Sequence, residues 1–212
     1  MNDTENLNTP KALKAILAET ERLGFAMASD PLTGSLLRTL AQSKPAAAVL
    51  ELGTGTGVAT AWLLDGMDAH SLLFTVEQDP AVASVAQEQL ADDPRVTFYV
   101  EDAAAVLARI AGERFDLIFA DTWAGKYTHL DEALALLKEG GLYVIDDMLP
   151  QASWPDGHAE KVRELIALLE ARRDLSVTKM SWSSGIIVAA KQNCKRTTTL
   201  SFTTPMSRSR VD

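Results

Sequence analysis

Three glycines at alternate positions follow a short apolar segment, and this feature constrains the fold of the chain most strongly. The segment Val49–Leu52 leads directly into Gly53, Gly55 and Gly57. Because glycine has no Cβ, it permits a tight turn and lets a ligand lie against the backbone, and a helix that follows offers free N–H groups. The pattern predicts a strand, a ligand-binding turn and a helix start, although an ordinary tight turn between strand and helix would show the same glycines.

The composition indicates one globular domain that binds small molecules. The chain has 212 residues, of which 47% are hydrophobic, and this suits a sizeable core. Its formal net charge of −9 argues against nucleic acid as a partner, since phosphate binding requires a basic surface. With a single cysteine, Cys194, no signal-like N-terminus and no apolar run of about 20 residues, the expected location is the cytoplasm, without a membrane partner.

Segments with strand character alternate with helical segments through the middle of the chain. The strand candidates are residues 47–52, 71–77, 96–100, 115–120 and 142–146, separated by helical segments at 58–64, 81–90, 103–110 and 130–137. This alternation is typical of βαβ units and a parallel sheet. Two last strands, 175–180 and 186–190, are joined too closely to be parallel. The prediction is an α/β, Rossmann-like doubly wound sheet of seven strands, mostly parallel, with a C-terminal antiparallel hairpin.

A single domain is predicted over residues 1–192, with helices in 1–45 and a tail at 193–212. The first helix follows Thr9-Pro10 and is amphipathic, which offers a surface for a homodimer. The tail is rich in Ser, Thr and basic residues and has few apolar ones, so it can bury little and is expected to be disordered.

The strand order and the glycine turn resemble the class I S-adenosylmethionine-dependent methyltransferases over about residues 10–192. The residues similar to the first motif of that family are Glu51, Gly53, Gly55 and Gly57. The resemblance implies S-adenosylmethionine as the cofactor and a donor pocket that Thr54 and Thr56 would help to line. Met27 and Ser29, which precede the second helix, would approach the donor as well.

Two further acids match donor-binding positions of the same family. Glu77 ends the second strand, where the family keeps an acid that accepts hydrogen bonds from both ribose hydroxyls. A carboxylate suits this task because it only accepts hydrogen bonds and can take two donors. Asp102 follows the third strand and matches the position that faces the adenine amine, although capping of the next helix would also explain it.

A narrower resemblance, to the metal-dependent catechol and caffeoyl-CoA O-methyltransferases, rests on the segments Phe115–Trp123 and Gly140–Asp147. In that family one Mg²⁺ also binds two adjacent substrate oxygens, and its ligands here would be Asp121, Asp146 and Asp147. Mg²⁺ prefers six oxygen ligands, so three carboxylates leave room for water and a vicinal diol. Coordination would favour the phenolate, since a free phenol has a pKa of about 10. The family usually has asparagine at the third position. Asp147 adds a negative charge there, so the sequence leaves open whether a metal binds.

The resemblance implies Asp121, Lys126 and Asp147 as the catalytic residues. Ala124 occupies the position of the catalytic lysine of the family, and Lys126 lies two residues further along the chain. Lys126 is therefore a substitute candidate, and a solvated lysine that opens the next helix is the alternative.

Two tryptophans are the predicted substrate contacts. Trp123 would form a wall of the substrate pocket or fill the sheet edge, and Trp154 lies in the loop after the fifth strand, which overhangs the active site in this fold. His129 lies in a predicted helix, and His158 lies in a polar loop where a charged helix over about residues 158–172 is predicted to begin. Neither has a partner at ligand spacing, so neither is expected to bind metal.

The combined pattern predicts methyl transfer from S-adenosylmethionine to a small-molecule hydroxyl oxygen, in its specific form Mg²⁺-assisted on a vicinal diol. NAD is the competing cofactor, but its fingerprint is G-x-G-x-x-G, whereas the glycines here end at Gly57 and Val58 follows. Three alternatives stay open: a metal-independent methyltransferase, a donor-binding protein without catalysis, and an NAD-dependent dehydrogenase.

Overall fold

The computed structural model of the chain describes residues 2–5, 7–151 and 154–193. The tail predicted to be disordered lies outside these residues except for Asn193. The helices are α1 (Leu13–Leu23), α2 (Pro31–Gln42), α3 (Val58–Gly66), α4 (Pro80–Leu90), α5 (Ala103–Arg109), α6 (Leu130–Ala135) and α7 (His158–Ala171). The strands are β1 (Ala48–Leu52), β2 (Leu72–Glu77), β3 (Val96–Val100), β4 (Phe115–Ala120), β5 (Leu137–Ile145), β6 (Leu175–Met180) and β7 (Ile186–Lys191).

The strands form a seven-stranded sheet in the order β3-β2-β1-β4-β5-β7-β6. The first five strands of this order are parallel to their neighbours, while β7 runs antiparallel to both β5 and β6. The chain reverses direction across the sheet between β1 and β4, which is where doubly wound sheets bind ligands beyond the carboxyl ends of their strands. The predicted Rossmann-like fold with its antiparallel hairpin is confirmed.

The register brings the carboxyl ends of the central strands to one edge of the sheet. Leu52, the last residue of β1, is paired with Val76 of β2 and with Ala120 of β4. Ala120 is paired in turn with Ile145, the last residue of β5. The segments that follow β1, β4 and β5 therefore begin beside one another.

Helices cover both faces of the sheet. Side chains alternate along a strand, and in β1 Val49 packs with buried residues of α1, α2 and α3, whereas Leu50 packs with those of α5, α6 and α7. Trp62 of α3 and Tyr143 of β5 are among the largest fully buried side chains. Within the described ranges, no helix combines the length and the apolar character that a membrane span requires.

Strand β5 is longer than predicted, because it begins at Leu137 instead of residue 142. Its register against β4 shifts directly after the pair Phe115–Leu137, so the additional residues bulge out of the sheet. Gly140 has φ +73°, a left-handed conformation that glycine adopts at no steric cost. Gly140 and Gly141 lie between the predicted helix at 130–137 and the predicted strand at 142–146, and in the structure they belong to the bulge within β5.

Candidate active site

The glycine turn after β1 is closely packed, which explains its composition. Gly53 has φ +102°, and a Cβ on it would lie 2.7 Å from the carbonyl oxygen of Asp121. Gly57 has φ +94°, and its Cβ would lie 2.7 Å from the Cβ of Ala86 in α4. A larger residue at either position would be strained and would also collide with its neighbour, so both glycines are required by the fold itself.

A cleft of about 220 Å³ opens beside this turn, at the carboxyl edge of β1, β2 and β4. Glu77 and Asp102, the two acids predicted to bind the nucleoside, both line it. The other lining residues are Gly53, Val76, Gln78, Ala103, Ala104, Thr122, Trp123, Ala124, Thr128 and His129. The structure therefore places the predicted ribose and adenine contacts in a single cleft.

Glu77 connects the end of β2 to the glycine turn. Its Oε2 accepts a hydrogen bond of 3.0 Å from the N–H of Gly55, and its Oε1 accepts one of 3.0 Å from the N–H of Asp79. Since a carboxylate has about four lone-pair sites, both oxygens can accept a further donor. These backbone bonds fix the orientation in which Glu77 meets a ligand.

Asp102 caps a helix and lies at the cleft, while its predicted contact with the adenine amine stays a prediction. Its Oδ1 accepts hydrogen bonds from the N–H groups of Ala104 at 2.8 Å and Ala105 at 3.3 Å, so it caps α5. The same residue lines the cleft. Capping holds the carboxylate at the cleft and leaves Oδ2 available to a ligand.

Glu51 lies beneath the turn and does not line the cleft. The side chain is completely buried, and its Oε2 accepts hydrogen bonds from the hydroxyls of Thr60 at 2.6 Å and Thr75 at 2.5 Å. Burial raises the pKa of Glu51 to about 8, and the two threonine hydroxyls oppose that rise. Its predicted contact with the donor stays a prediction.

Thr54 and Thr56 are buried in the same layer. The hydroxyl of Thr54 is 2.5 Å from that of Thr75, and Thr56 accepts a 2.7 Å hydrogen bond from Thr20 of α1. Both side chains therefore hold the glycine turn against the protein. Their predicted place in the donor pocket stays a prediction.

Asp121 follows β4 and forms a buried ion pair. Its Oδ1 is 3.1 Å from Nζ of Lys126, whose side chain is only 5% exposed, and its Oδ2 accepts a 3.0 Å hydrogen bond from the hydroxyl of Ser29. Ser29 thus contacts Asp121, and its predicted approach to the donor stays a prediction. Met27 is 72% exposed.

A tight turn after β4 directs Lys126 toward Asp121. The N–H groups of Lys126 and Tyr127 donate to the carbonyl of Trp123, and Gly125 has φ +87°. The displaced lysine therefore does reach the site, and the alternative of a solvated lysine is wrong.

Asp146 and Asp147 follow β5. Asp146 is 1% exposed, and its Oδ1 accepts the N–H of Asp147 at 2.8 Å together with the hydroxyl of Ser184 from the β6–β7 connection. Burial, followed by the charge of Asp121, raises the pKa of Asp146 to about 7. Burial, followed by the charge of Asp121, also raises the pKa of Asp147, while Lys126 opposes the rise.

This set of donors fits an ammonium group better than a divalent cation. Within residues 2–5, 7–151 and 154–193, no group of three or more His, Cys, Asp or Glu side chains is arranged to hold a metal ion. One oxygen of Asp121 faces the Lys126 ammonium instead. The magnesium site predicted from Asp121, Asp146 and Asp147 remains a sequence-based prediction.

An aromatic cluster borders the carboxylates. The ring of His158 lies 5.8 Å from Trp123, 5.1 Å from Tyr127 and 4.7 Å from Trp154, measured between centroids. The hydroxyl of Tyr127 is 3.1 Å from Nε2 of His158. Both predicted substrate residues, Trp123 and Trp154, thus belong to one cluster, and Trp123 is 48% exposed at its rim.

The sequence missed several members of this site. His158, which the sequence placed in a polar loop at the start of a predicted helix, is the buried first residue of α7, and its side chain was not expected at the site. His129 lies just before α6 with φ +53° and lines the cleft. Burial, with the charges of Asp147 and Asp121, raises the pKa of Tyr127 to about 12. No sequence signal marked Ser184 or His158, because both reach the site only through the tertiary fold.

The fold and the cleft define the class of protein. A seven-stranded sheet with an antiparallel β7, a glycine turn and an acid at the end of β2 is the arrangement expected of a methyltransferase. A family model described as a methyltransferase domain matches residues 50–148 of the chain.

Comparison with individual proteins identifies the family. A protein of Mycolicibacterium vanbaalenii that is named an O-methyltransferase by prediction is 31% identical over 201 residues, which cover 90% of this chain and 89% of that protein. A second such protein, from Mycobacterium sp. strain JLS, is 31% identical over 176 residues and 78% of this chain. The chain belongs to this O-methyltransferase family.

Solved structures share the fold. The cofactor-bound structure of Rv0187 from MTB has a TM-score of 0.79 and 26% identity, covering 90% of this chain and 94% of that one. The O-methyltransferase of Bacillus cereus in complex with SAH has a TM-score of 0.76 at 24% identity, covering 85% and 90%. The predicted methyltransferase class is confirmed, and the dehydrogenase alternative loses its support.

Proposed function

We propose that this protein transfers the methyl group of S-adenosylmethionine to a hydroxyl oxygen of a small molecule. The observation that carries the proposal is the buried pair of Lys126 and Asp121, which flanks Thr122–Ala124 in the chain, three residues that line the same cleft as Glu77 and Asp102. A nucleoside site next to a charged, water-poor site is what methyl transfer requires.

The cleft supports binding of the nucleoside part of the donor. Glu77 is held by two backbone N–H groups and accepts the ribose hydroxyls with its remaining lone pairs. The free Oδ2 of Asp102 accepts the adenine amine. The glycine turn lets the rest of the donor lie against the backbone toward Asp121.

The carboxylates and the lysine support activation of the acceptor. A hydroxyl group is a poor nucleophile until it loses its proton, and Asp147 is the proton acceptor because it is only partly buried while Asp146 is closed off. The ammonium of Lys126 stabilises the negative charge that develops on the acceptor oxygen. This oxygen then forms a bond to the methyl carbon as the carbon–sulfur bond breaks, and neutral S-adenosylhomocysteine leaves.

The aromatic cluster supports a flat, apolar acceptor. Trp123 presents half of its surface at the mouth of the site, and its ring lies 5.2 Å from that of Tyr127 behind it. Aromatic faces of this kind bind planar groups by stacking. An acceptor with two adjacent hydroxyls can contact both Lys126 and Asp147, so a vicinal diol is the preferred substrate class.

The amphipathic first helix supports a homodimer. Leu17 and Leu23 of α1 are 42% and 39% exposed, and Met27 is exposed directly after the helix. Light scattering during size-exclusion chromatography measures the mass in solution, and a monomeric mass would contradict the dimer.

Methyl transfer is tested with labelled S-adenosylmethionine and a panel of small hydroxyl-bearing acceptors, with products located by mass spectrometry. The wild-type protein is expected to methylate oxygen. Asp147→Asn is expected to lower kcat by about 10²–10⁴-fold, because it removes the proton acceptor, with unchanged affinity for S-adenosylhomocysteine. Asp92→Asn is the matched control, because Asp92 is exposed and precedes β3, whereas the cleft lies at the other end of that strand. Methylation of nitrogen or carbon only, or full activity of Asp147→Asn, would contradict the proposal.

A further inference from the structure

A positive charge from the chain itself lies among the three carboxylates of the site. Nζ of Lys126 is 3.1 Å from Oδ1 of Asp121, and the lysine side chain is 5% exposed while that of Asp121 is 10% exposed. Asp146 and Asp147 follow β5, whose last residue Ile145 is paired with Ala120, the residue directly before Asp121. Lys126 is therefore a buried cation, paired with Asp121, at the strand ends where all three carboxylates begin.

Three of the six carboxylate oxygens are already engaged by other groups. Lys126 and Ser29 contact Oδ1 and Oδ2 of Asp121, and both Ser184 and the N–H of Asp147 donate to Oδ1 of Asp146. Mg²⁺ requires about six oxygen ligands at 2.0–2.1 Å in a nearly octahedral arrangement. A divalent cation bound through Asp121 would have to displace Lys126 or Ser29, and it would also meet the positive charge of Lys126.

The position of the lysine is built into the fold. A Cβ on Gly125 would lie 2.7 Å from both Cδ1 of Leu52 and the hydroxyl of Tyr143, so the turn before Lys126 packs directly on the sheet. Tyr143 is fully buried and donates a 2.7 Å hydrogen bond to the carbonyl of Gly125. A turn fixed in this way holds the ammonium at the carboxylates instead of leaving it free to swing out.

We propose that Lys126 occupies the position of the divalent cation, so that this carboxylate site works without a metal. The inference builds on the proposed methyl transfer and names the cation that stabilises the acceptor oxygen. A lysine ammonium provides one fixed positive charge and three N–H donors, which suffice to bind a developing oxyanion. Removal of the lysine leaves Asp121 without its cation, next to the strand end that carries Asp146 and Asp147, and unpaired carboxylates attract a hard divalent cation.

The test is a titration with Mn²⁺ followed by electron paramagnetic resonance, on protein saturated with S-adenosylhomocysteine. Wild-type protein is expected to show no one-to-one site. Lys126→Ala is expected to gain one, and its affinity for Mn²⁺ should be at least tenfold higher than any weak binding that the wild-type protein shows. Lys138→Ala, which removes the lysine of the surface pair with Asp116, is the matched control and should behave as wild type. Tight one-to-one binding of Mn²⁺ by wild-type protein, lost in Asp121→Asn, would overturn the proposal.

A second variant covers the case in which Lys126→Ala does not fold. Lys126→Met keeps the length and the apolar stem of the side chain but removes its charge, and it is expected to gain the same site. A folded Lys126→Met or Lys126→Ala protein that binds no Mn²⁺ would also overturn the proposal. The titration measures Mn²⁺ binding and requires no turnover, so it tests the role of Lys126 independently of methyl transfer. The labelling assay, run with and without Mg²⁺, tests methyl transfer itself.

Discussion

Replacement of Glu51 by glutamine should stabilise the protein in a strongly pH-dependent way. Glu51 is completely buried, and burial raises its pKa from an ordinary 4.5 to about 8. Thr60 and Thr75 both donate to Oε2, whereas Oε1 has no partner among the described residues. Glutamine has the same outline and can accept the same two hydrogen bonds, so Glu51→Gln isolates the effect of the charge.

The magnitude follows from the linkage between protonation and folding. Below pH 4.5 the carboxyl group is protonated in both states, and its charge costs nothing. Between pH 4.5 and 8 the unfolded chain loses the proton that the folded protein keeps, so the free energy of unfolding falls by about 1.4 kcal/mol per pH unit. At pH 7 the accumulated loss is about 3 kcal/mol, and above pH 8 it is complete. Glu51→Gln does not suffer this loss.

Urea unfolding of both proteins at pH 5, 6, 7 and 8, followed by circular dichroism, measures the difference. The advantage of Glu51→Gln should grow by about 2–3 kcal/mol between pH 5 and pH 7. Glu88→Gln, an exposed change on α4, serves as the control and should show no such growth. A difference between Glu51→Gln and wild type that stays constant with pH would refute the assignment of a neutral, buried Glu51.

Two further substitutions test the packing of the site by thermal unfolding. Gly57→Ala should destabilise the protein by about 1–3 kcal/mol, because it places a Cβ at positive φ and 2.7 Å from that of Ala86, whereas Gly112→Ala, with open space around it, should not. Equal Tm values for the two variants would contradict this reasoning. Tyr127→Phe removes the hydroxyl that meets His158 and should cost about 1 kcal/mol, or about 2–4 °C in Tm. An unchanged Tm would mean that this hydrogen bond contributes nothing to stability.

The fold was predictable from local patterns along the chain. Alternating apolar strands and helices fixed the sheet class, and the glycine turn located the ligand edge, because carboxyl ends of parallel strands meet there. The start of β5 was not predictable, since Gly140 and Gly141 are equally typical of a turn and of a bulge. Only the pairing of Leu137 with Phe115 decides between these two structures.

The acidic residues of the site could be predicted from the sequence. The residues that contact them could be predicted less well. Glu77 and Asp102 follow strands, so their place at the edge follows from the sheet alone. Lys126 was ambiguous because its direction depends on a turn whose geometry is set by contacts with the buried sheet. Ser184 and His158 come from elements far along the chain, and no local pattern indicates which side chains such elements bring to the site.

The binding of S-adenosylhomocysteine, measured by calorimetry on wild-type protein and Glu77→Ala, tests the donor site most directly. The structure predicts one site per wild-type chain and about 10–100-fold weaker binding by the variant, because hydrogen bonds to a charged carboxylate are worth about 1.5–3 kcal/mol. NAD should not bind. Equal affinity of the two proteins for S-adenosylhomocysteine, or binding of NAD in its place, would contradict a methyl-donor site at this edge of the sheet.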